Sequence, residues 1–125
     1  MTLKRYFESK KGLGVLATSD KRGRVNAAIY ARPHMLGERK LAFIMSQRLT
    51  HKNLRANPHA AYLFREKGKE YNGKRLYLTL VKEENDQAKI NATRRSTTPK
   101  SCAPKNGEKR FLVTFRIDKI LPLSN

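Results

Sequence analysis

Leu41-Ala42-Phe43-Ile44-Met45-Ser46-Gln47-Arg48-Leu49-Thr50-His51-Lys52-Asn53-Leu54-Arg55-Ala56-Asn57-Pro58 is the stretch from which the fold is read. In its first part Leu41, Phe43 and Met45 alternate with Ala42, Ile44 and Ser46, the period of a strand with one buried face. The second part changes character: Thr50 to Asn57 is too polar for a core strand, opens on a residue that suits an N-cap and stops at Asn57-Pro58, so a two-turn helix is expected with Thr50 as its cap. A strand that runs into a helix start among basic and hydroxyl side chains suits phosphate. Free N–H groups and partial positive charge at such a start would let the Thr50 and His51 amides and the Thr50 hydroxyl hold phosphate oxygens, with Arg48 and Lys52 neutralising them. The same residues also suit a plain cap with solvated cations, and their spacing does not choose between the two.

Outward from this junction the chain reads as mainly β. On the N-terminal side, Leu3, Tyr6 and Phe7 fall on one face of a short helix capped by Thr2, with Gly12 and Gly14 ending it. Val15 to Thr18, the turn Asp20-Lys21-Arg22-Gly23, and the alternating Val25 to Ala31 form a hairpin. On the C-terminal side, Ala60, Tyr62 and Phe64, then Leu76, Leu78 and Leu80, then Phe111, Val113, Phe115 and Ile117 give three more strands before Leu121-Pro122-Leu123. Asp86 to Arg95 can form a helix. Ser96 to Gly107, within a segment of six cations and one acid from Arg94 to Arg110, reads as a mobile loop. Six antiparallel strands with about three short helices bury their apolar faces best as a small barrel.

The chain has 125 residues, enough for a single domain spanning 1–125 with one core. Twenty-eight Lys and Arg against ten Asp and Glu leave a net charge of +18, a field that attracts anions. No apolar run approaches the eighteen or so residues of a membrane span, and the first eleven residues lack a leader pattern, so a cytoplasmic protein is expected. With one cysteine, Cys102, and three scattered histidines, neither an internal disulfide nor a zinc-type site is expected.

Gly14-Val15-Leu16-Ala17-Thr18-Ser19, the Gly23 turn, the strand to Arg32, and Leu41 to Ser46 followed by Thr50-His51-Lys52-Asn53-Leu54-Arg55-Ala56-Asn57-Pro58 together resemble the pyridoxamine 5′-phosphate oxidase-like, FMN-binding split-barrel family. The resemblance covers roughly residues 3 to 83. It implies a split barrel, a homodimer with FMN at its interface, and an oxidoreductase or electron carrier. Carried over by position, Arg48, Thr50, His51, Lys52 and Asn53 fall on the phosphate segment. The flavin ring falls along Ala28, Ile29, Tyr30, Ala31 and Arg32 and along Ile44, Met45 and Ser46, read mainly by main-chain groups. Arg32 is the cation expected to stabilise reduced flavin.

Two departures from the family pattern stand out. Thr50 occupies the place where many relatives have a Lys, and Lys52 sits immediately before Asn53 instead. The Arg and His residues that pyridoxamine 5′-phosphate oxidases carry in a longer C-terminal portion have no counterpart, so vitamin B6 synthesis is not expected. A deazaflavin or haem in the same cleft is an alternative ligand, with His34 or His51 as haem-ligand candidates.

Outside the resemblance, His34 beside Pro33 reads as a loop residue or a group facing the ligand, and His59 as a residue at the entry to the fourth strand. Tyr71 to Tyr77 reads as a hairpin turn, or as a border to the facing chain's cofactor or to nucleic acid. Cys102 lacks the base and orienting group of a nucleophile. The competing class of function is a basic β-barrel binding single-stranded nucleic acid. It requires exposed aromatics among the cations, whereas Tyr6, Phe7, Phe43, Tyr62, Phe64, Phe111 and Phe115 are expected to face the core.

Overall fold

The computed structural model describes residues 2–93 and 109–124. The Ser96–Gly107 loop, Cys102 and the last two residues of the expected third helix lie outside the described residues. Helix α1 (Leu3–Ser9) leads into strands β1 (Gly12–Ser19), β2 (Val25–Ile29), β3 (His34–Met35) and β4 (Lys40–Ser46). Helix α2 (Leu49–Ala56), strands β5 (His59–Glu66) and β6 (Gly73–Glu84), helix α3 (Gln87–Thr93) and strand β7 (Arg110–Pro122) follow. All pairings are antiparallel, in the order β2-β1-β5-β6-β7-β4-β3.

This order explains why the sheet curls yet stays open. A flat seven-stranded sheet would hold its edge strands β2 and β3 about 29 Å apart, six spacings of about 4.8 Å. The two edges are nevertheless consecutive in sequence, and the link from Ile29 to His34 reaches at most about 17 Å when extended. The sheet must therefore bend until its edges approach, while no ladder joins them. The result is a split barrel, with one strand more than the expected six. The extra strand is β3, whose two residues follow Pro33 and are too few to show a period in sequence.

Alternation places Leu16, Phe43, Met45, Tyr62, Phe64 and Phe115 inside, each at most 2 % exposed. Phe7 plugs the barrel from α1 and meets Phe64 edge to face at 5.4 Å. All seven aromatics assigned to core faces are buried. They are not available as stacking platforms, and the structure lends no support to a single-strand-binding barrel. The other face of β4 is covered separately, with Ala42 and Ile44 packed under Ile90 of α3 and Leu112 of β7.

Thr2 caps α1 as expected, its hydroxyl accepting from the Arg5 N–H at 3.2 Å. The glycines that follow do not end that helix. Gly12 and Gly14 lie within β1, and a Cβ on Gly14 would collide with the Tyr62 hydroxyl and the Tyr30 carbonyl. That hydroxyl donates to the Tyr30 and Ala31 carbonyls at 3.2 Å each, fastening the β2–β3 link onto the barrel. At the other end of the hairpin Gly23 adopts φ +82°, which L-residues with a side chain rarely do. The Asp20 carboxylate accepts from the Arg22 and Arg24 N–H groups and from Arg24 Nε. These bonds hold its pKa below the ordinary carboxylate value, the Arg24 backbone bond foremost.

β6 and β7 outrun the periodic segments read in sequence, and β7 continues through Leu121 and Pro122. Two irregularities, at Tyr77/Leu78 and Leu80/Lys82, shift their register. Beyond the second one Lys82 and Glu83 are exposed where the alternation breaks.

The outer face of β2, β1 and β5 is apolar and open. Register aligns Ile29, Val15 and Leu63 across it, with Ile29 60 % and Leu63 39 % exposed. Among the described residues no helix is long and apolar enough to cross a membrane.

Candidate functional site

The site is the mouth of the split and the α2 start beside it. Antiparallel ladders direct the backbone groups of successive residues to opposite edges. On β2, the Tyr30 N–H bonds Gly14 O and Arg24 O accepts from Asp20, so the even-numbered residues face β1. The N–H and C=O groups of Ala27 and Ile29 therefore point to the open edge. On β4, Arg39 O accepts from Ile117 while Lys40 O accepts from Leu36, which turns Ala42, Ile44 and Ser46 toward the β3 side. Because β3 pairs only with Leu41 and Ala42, the Ile44 main chain points to where no strand follows. Ile29 and Ile44 thus border the split with backbone donors and acceptors.

Side chains on these strands are otherwise engaged. Met45 is core, Ile44 lies under α3, and Tyr30 packs against Phe43 at 5.7 Å between ring centres. Ala28 and Ala31 are half-buried and too small to obstruct a planar ligand. The Arg32 guanidinium donates to Phe7 O at 2.8 Å and Lys10 O at 2.9 Å, so it caps the end of α1. Those bonds fasten the helix to the β2–β3 link.

The helix begins two residues earlier than the sequence implies. Arg48 is the N-cap and makes no side-chain cap bond; α2 starts at Leu49 and its first internal bond joins Lys52 N–H to Arg48 O at 3.0 Å. Thr50 is therefore inside the first turn, where it is 4 % exposed and its Oγ1 accepts from Asn26 Nδ2 at 3.3 Å. One turn on, Asn53 Nδ2 donates to Thr18 Oγ1 at 3.2 Å. These two bonds press α2 onto the inner face of β1 and β2. The Leu49, Thr50 and His51 N–H groups precede the first helical bond and so lie outside the ladder.

The His51 side chain has a structural partner that the sequence reading did not supply. It is buried, stacked on Phe111 with ring centres 4.2 Å apart and planes within 11°, and bonded through Nε2 to the Glu83 carboxylate. Arg55 Nη2 meets the same carboxylate at 3.2 Å. The His51 ring is thus a bolt between α2 and the β6–β7 sheet, and only its amide belongs to the helix start. Sequence reading missed both Asn26 and Glu83. Their partners lie 24 and 32 residues away, and no local pattern signals such pairs.

Among the described residues, a hollow lies on each of two flanks of α2. One, about 490 Å³, is lined by Arg55, Glu83, Glu84, Asn85, Asp86 and Phe111, and its carboxylates repel phosphate. The other, about 480 Å³, lies between the β1–β2 turn and the α2 face formed by Leu49, Lys52, Asn53 and Ala56. Lys21, Arg22 and Arg24 line its turn side. No group of three or more metal-ligating side chains occurs among the described residues. His34 pairs within β3, and His59 opens β5 with Nδ1 at 3.3 Å from Thr79 Oγ1. Tyr71 stands 76 % exposed in the β5–β6 turn beneath the Arg65 guanidinium.

No family model matches the chain, and no curated protein matches it. Solved structures do. An FMN-binding protein from Syntrophomonas wolfei superposes with a TM-score of 0.79 at 21 % identity, over 98 % of this chain and 84 % of that one. A protein related to general stress protein 26, of the pyridoxinephosphate oxidase family, from Clostridium acetobutylicum gives 0.69 at 14 % identity, over 97 % and 87 %. An F420 reductase gives 0.66 at 19 % identity, over 94 % of each chain. The open seven-stranded sheet, with a helix start beside its split, is the fold of the pyridoxamine 5′-phosphate oxidase-like, FMN-binding split barrels.

Proposed function

We propose that the chain is an FMN-binding flavoprotein that acts as an oxidoreductase or electron carrier, in a homodimer with FMN at the interface. The observation that carries this reading is the seating of the α2 start against edge strand β2 through Asn26 and Thr50, beside a basic hollow and the open backbone edges of Ile29 and Ile44. The likeness of the fold to an FMN-binding protein supports the choice of ligand.

The residues present fit such a group in a particular way. The amides of Leu49, Thr50 and His51 offer donors to a terminal phosphate, and the exposed Lys52 ammonium and the Arg48 guanidinium neutralise it. Backbone donors and acceptors at Ile29 and Ile44 suit the polar edge of a flavin, while small Ala28 and Ala31 leave room for its plane. FMN, when bound, supplies hydride or single-electron transfer. The protein's share is to hold, orient and shield. Asn26 and Asn53 fix the helix that carries the phosphate donors, and the apolar outer face with Val15, Ile29 and Leu63 offers a second copy the surface needed to cover a half-exposed ring.

Titration of apoprotein with FMN tests this. Quenching of flavin emission, a rise in melting temperature, and much weaker binding of riboflavin, which lacks the phosphate, are expected. Absence of both quenching and the melting shift overturns the proposal.

A further inference from the structure

The asparagines of the described residues stand in very different surroundings. Two have their carboxamides tied across the fold: Asn26 donates to Thr50, and Asn53, 5 % exposed, donates to Thr18. Asn57 precedes Pro58, whose nitrogen carries no proton. Asn91 lies within α3, and Asn85 precedes Asp86, whose side chain and negative charge disfavour attack by the nitrogen between them. Asn72 differs from all of these. It is exposed, sits in the β5–β6 connection one residue before β6, and is followed by a glycine.

Packing demands that glycine. A Cβ on Gly73 would collide with the Phe64 carbonyl oxygen and crowd the Arg65 Cα at 3.2 Å, because the start of β6 lies tight against β5. Gly73 in turn offers no side chain to shield the Asn72 carboxamide. The direction of the backbone adds to this. The Asn72 carbonyl accepts from the Glu66 N–H at 2.8 Å, so the main-chain groups of Asn72 face β5 and those of Gly73 face the other way. On that side the ladder with β7 begins at Lys74, paired with Pro122, and the Gly73 N–H lies one residue beyond it. The carboxamide itself is held weakly, with Nδ2 at 3.4 Å from Glu70 Oε2 on the surface.

We infer that Asn72 is a site of spontaneous covalent modification, at which the chain converts its own carboxamide into a carboxylate. The Gly73 nitrogen, its proton given to hydroxide, bonds to Asn72 Cγ; the Cγ–Nδ2 bond breaks and the amide nitrogen leaves as ammonia. Water then opens the resulting cyclic imide at either carbonyl, giving aspartate or isoaspartate, with no change of oxidation state. Either product places a carboxylate where an amide donor faced Glu70, so attraction becomes repulsion. Isoaspartate also lengthens the main chain by one carbon beside the Glu66–Asn72 bond, which loosens the turn. The inference does not depend on the flavin reading.

The test is incubation of the full-length protein at mildly alkaline pH, followed by trypsin digestion and mass spectrometry against an unincubated sample. Trypsin releases Asn72 in the peptide Glu70–Lys74, apart from Asn26, Asn53 and Asn106, the last of which has its own following glycine outside the described residues. Peptide 70–74 is expected to gain acid several-fold faster than the peptides holding Asn26 and Asn53, with isoaspartate as the main product and a rate that rises with pH. Asn72→Gln, an exposed change whose longer side chain closes a ring slowly, should suppress the conversion and leave the melting temperature unaltered. Conversion at Asn72 no faster than at Asn26 or Asn53 overturns the inference. So does conversion that occurs only when the protein is unfolded in urea, since the fold would then protect the site.

Discussion

Asn26 on edge strand β2 donates its side-chain N–H to the hydroxyl of Thr50 in the first turn of α2, at 3.3 Å. This bond fixes the first turn of the helix to the strand. A shared bond predicts coupling. Asn26→Ala and Thr50→Val should each cost about 1 kcal/mol of stability in urea denaturation. Because they break one shared bond, the double variant should cost less than the two singles together. Both single variants should also weaken FMN binding several-fold, since the amide donors sit on the helix that loosens. Strictly additive losses would show that the pair is not coupled.

A second pin lies on the far side of the same helix. Removing the carboxylate in Glu83→Ala strands the buried Nε2 of His51, at an expected cost of about 1–3 kcal/mol. Arg55→Ala removes the outer member of the cluster, whose side chain is 61 % exposed, and should cost under about 1 kcal/mol. Urea midpoints of the two variants check the order. An Arg55→Ala loss equal to that of Glu83→Ala would contradict the placement of His51 as the buried bolt.

The strands that build the barrel were legible because their alternation is a local property. Leu41, Phe43 and Met45, or Phe111, Val113 and Phe115, announce one buried face without knowledge of the partner strand. Strand β3 was not legible, since two residues carry no period and its existence depends on β4 lying beside it. The site divides in the same way. The helix start after β4 could be read from the change of period, but its cap could not. Thr50 has the side chain of a cap, yet Asn26 claims its hydroxyl and Arg48 takes the cap position. The side-chain partners of Arg32 and His51, the end of α1 and Glu83, could not be read either, because only the curling of the sheet brings them together.

Gly14 shows the same dependence on a distant residue. Its missing side chain gives the Tyr62 hydroxyl room to reach the Tyr30 and Ala31 carbonyls. Gly14→Ala should destabilise by about 1–3 kcal/mol, as overpacking does. Tyr62→Phe removes one obstacle but leaves the Tyr30 carbonyl in place, so G14A/Y62F should recover only part of the loss. Thermal or urea unfolding measures this; full recovery would mean that the main chain gives way at no cost.

The β1–β2 turn should respond to acid. Bonds from the Arg24 backbone and side chain and from the Arg22 backbone hold the Asp20 pKa below its unfolded value of about 3.9. A group whose folded pKa is depressed contributes its stability in full above the unfolded value and loses it as pH falls through the folded value. The Asp20 contribution should therefore be constant at neutral pH and vanish only in strong acid. Carboxyl NMR should show Asp20 titrating below the ordinary range. Asp20→Asn should lower the melting temperature at pH 7 and make no difference once both proteins are below that titration. A normal Asp20 midpoint would mean that the carboxylate is not held by the turn.

The open face of β2, β1 and β5 yields the prediction that bears most directly on assembly. Ile29, Val15 and Leu63 lie in one cross-strand row, and Val25 and Ile29 are 85 % and 60 % exposed although both are large and apolar. A basic chain repels its own copies, so the proposed homodimer is expected to draw on this apolar surface rather than on charge. Ile29→Lys places a cation in the middle of the row while its outward side chain leaves the core untouched. Sedimentation should show a dimer for the unaltered chain and a monomer for the variant at the same concentration. Circular dichroism should be unchanged, because Ile29 contributes nothing to the barrel interior. FMN affinity should fall with the dimer if the second copy covers the ring. An unaltered chain that sediments as a monomer would remove the homodimer from the proposal, and a variant that remains dimeric would place the interface on another face.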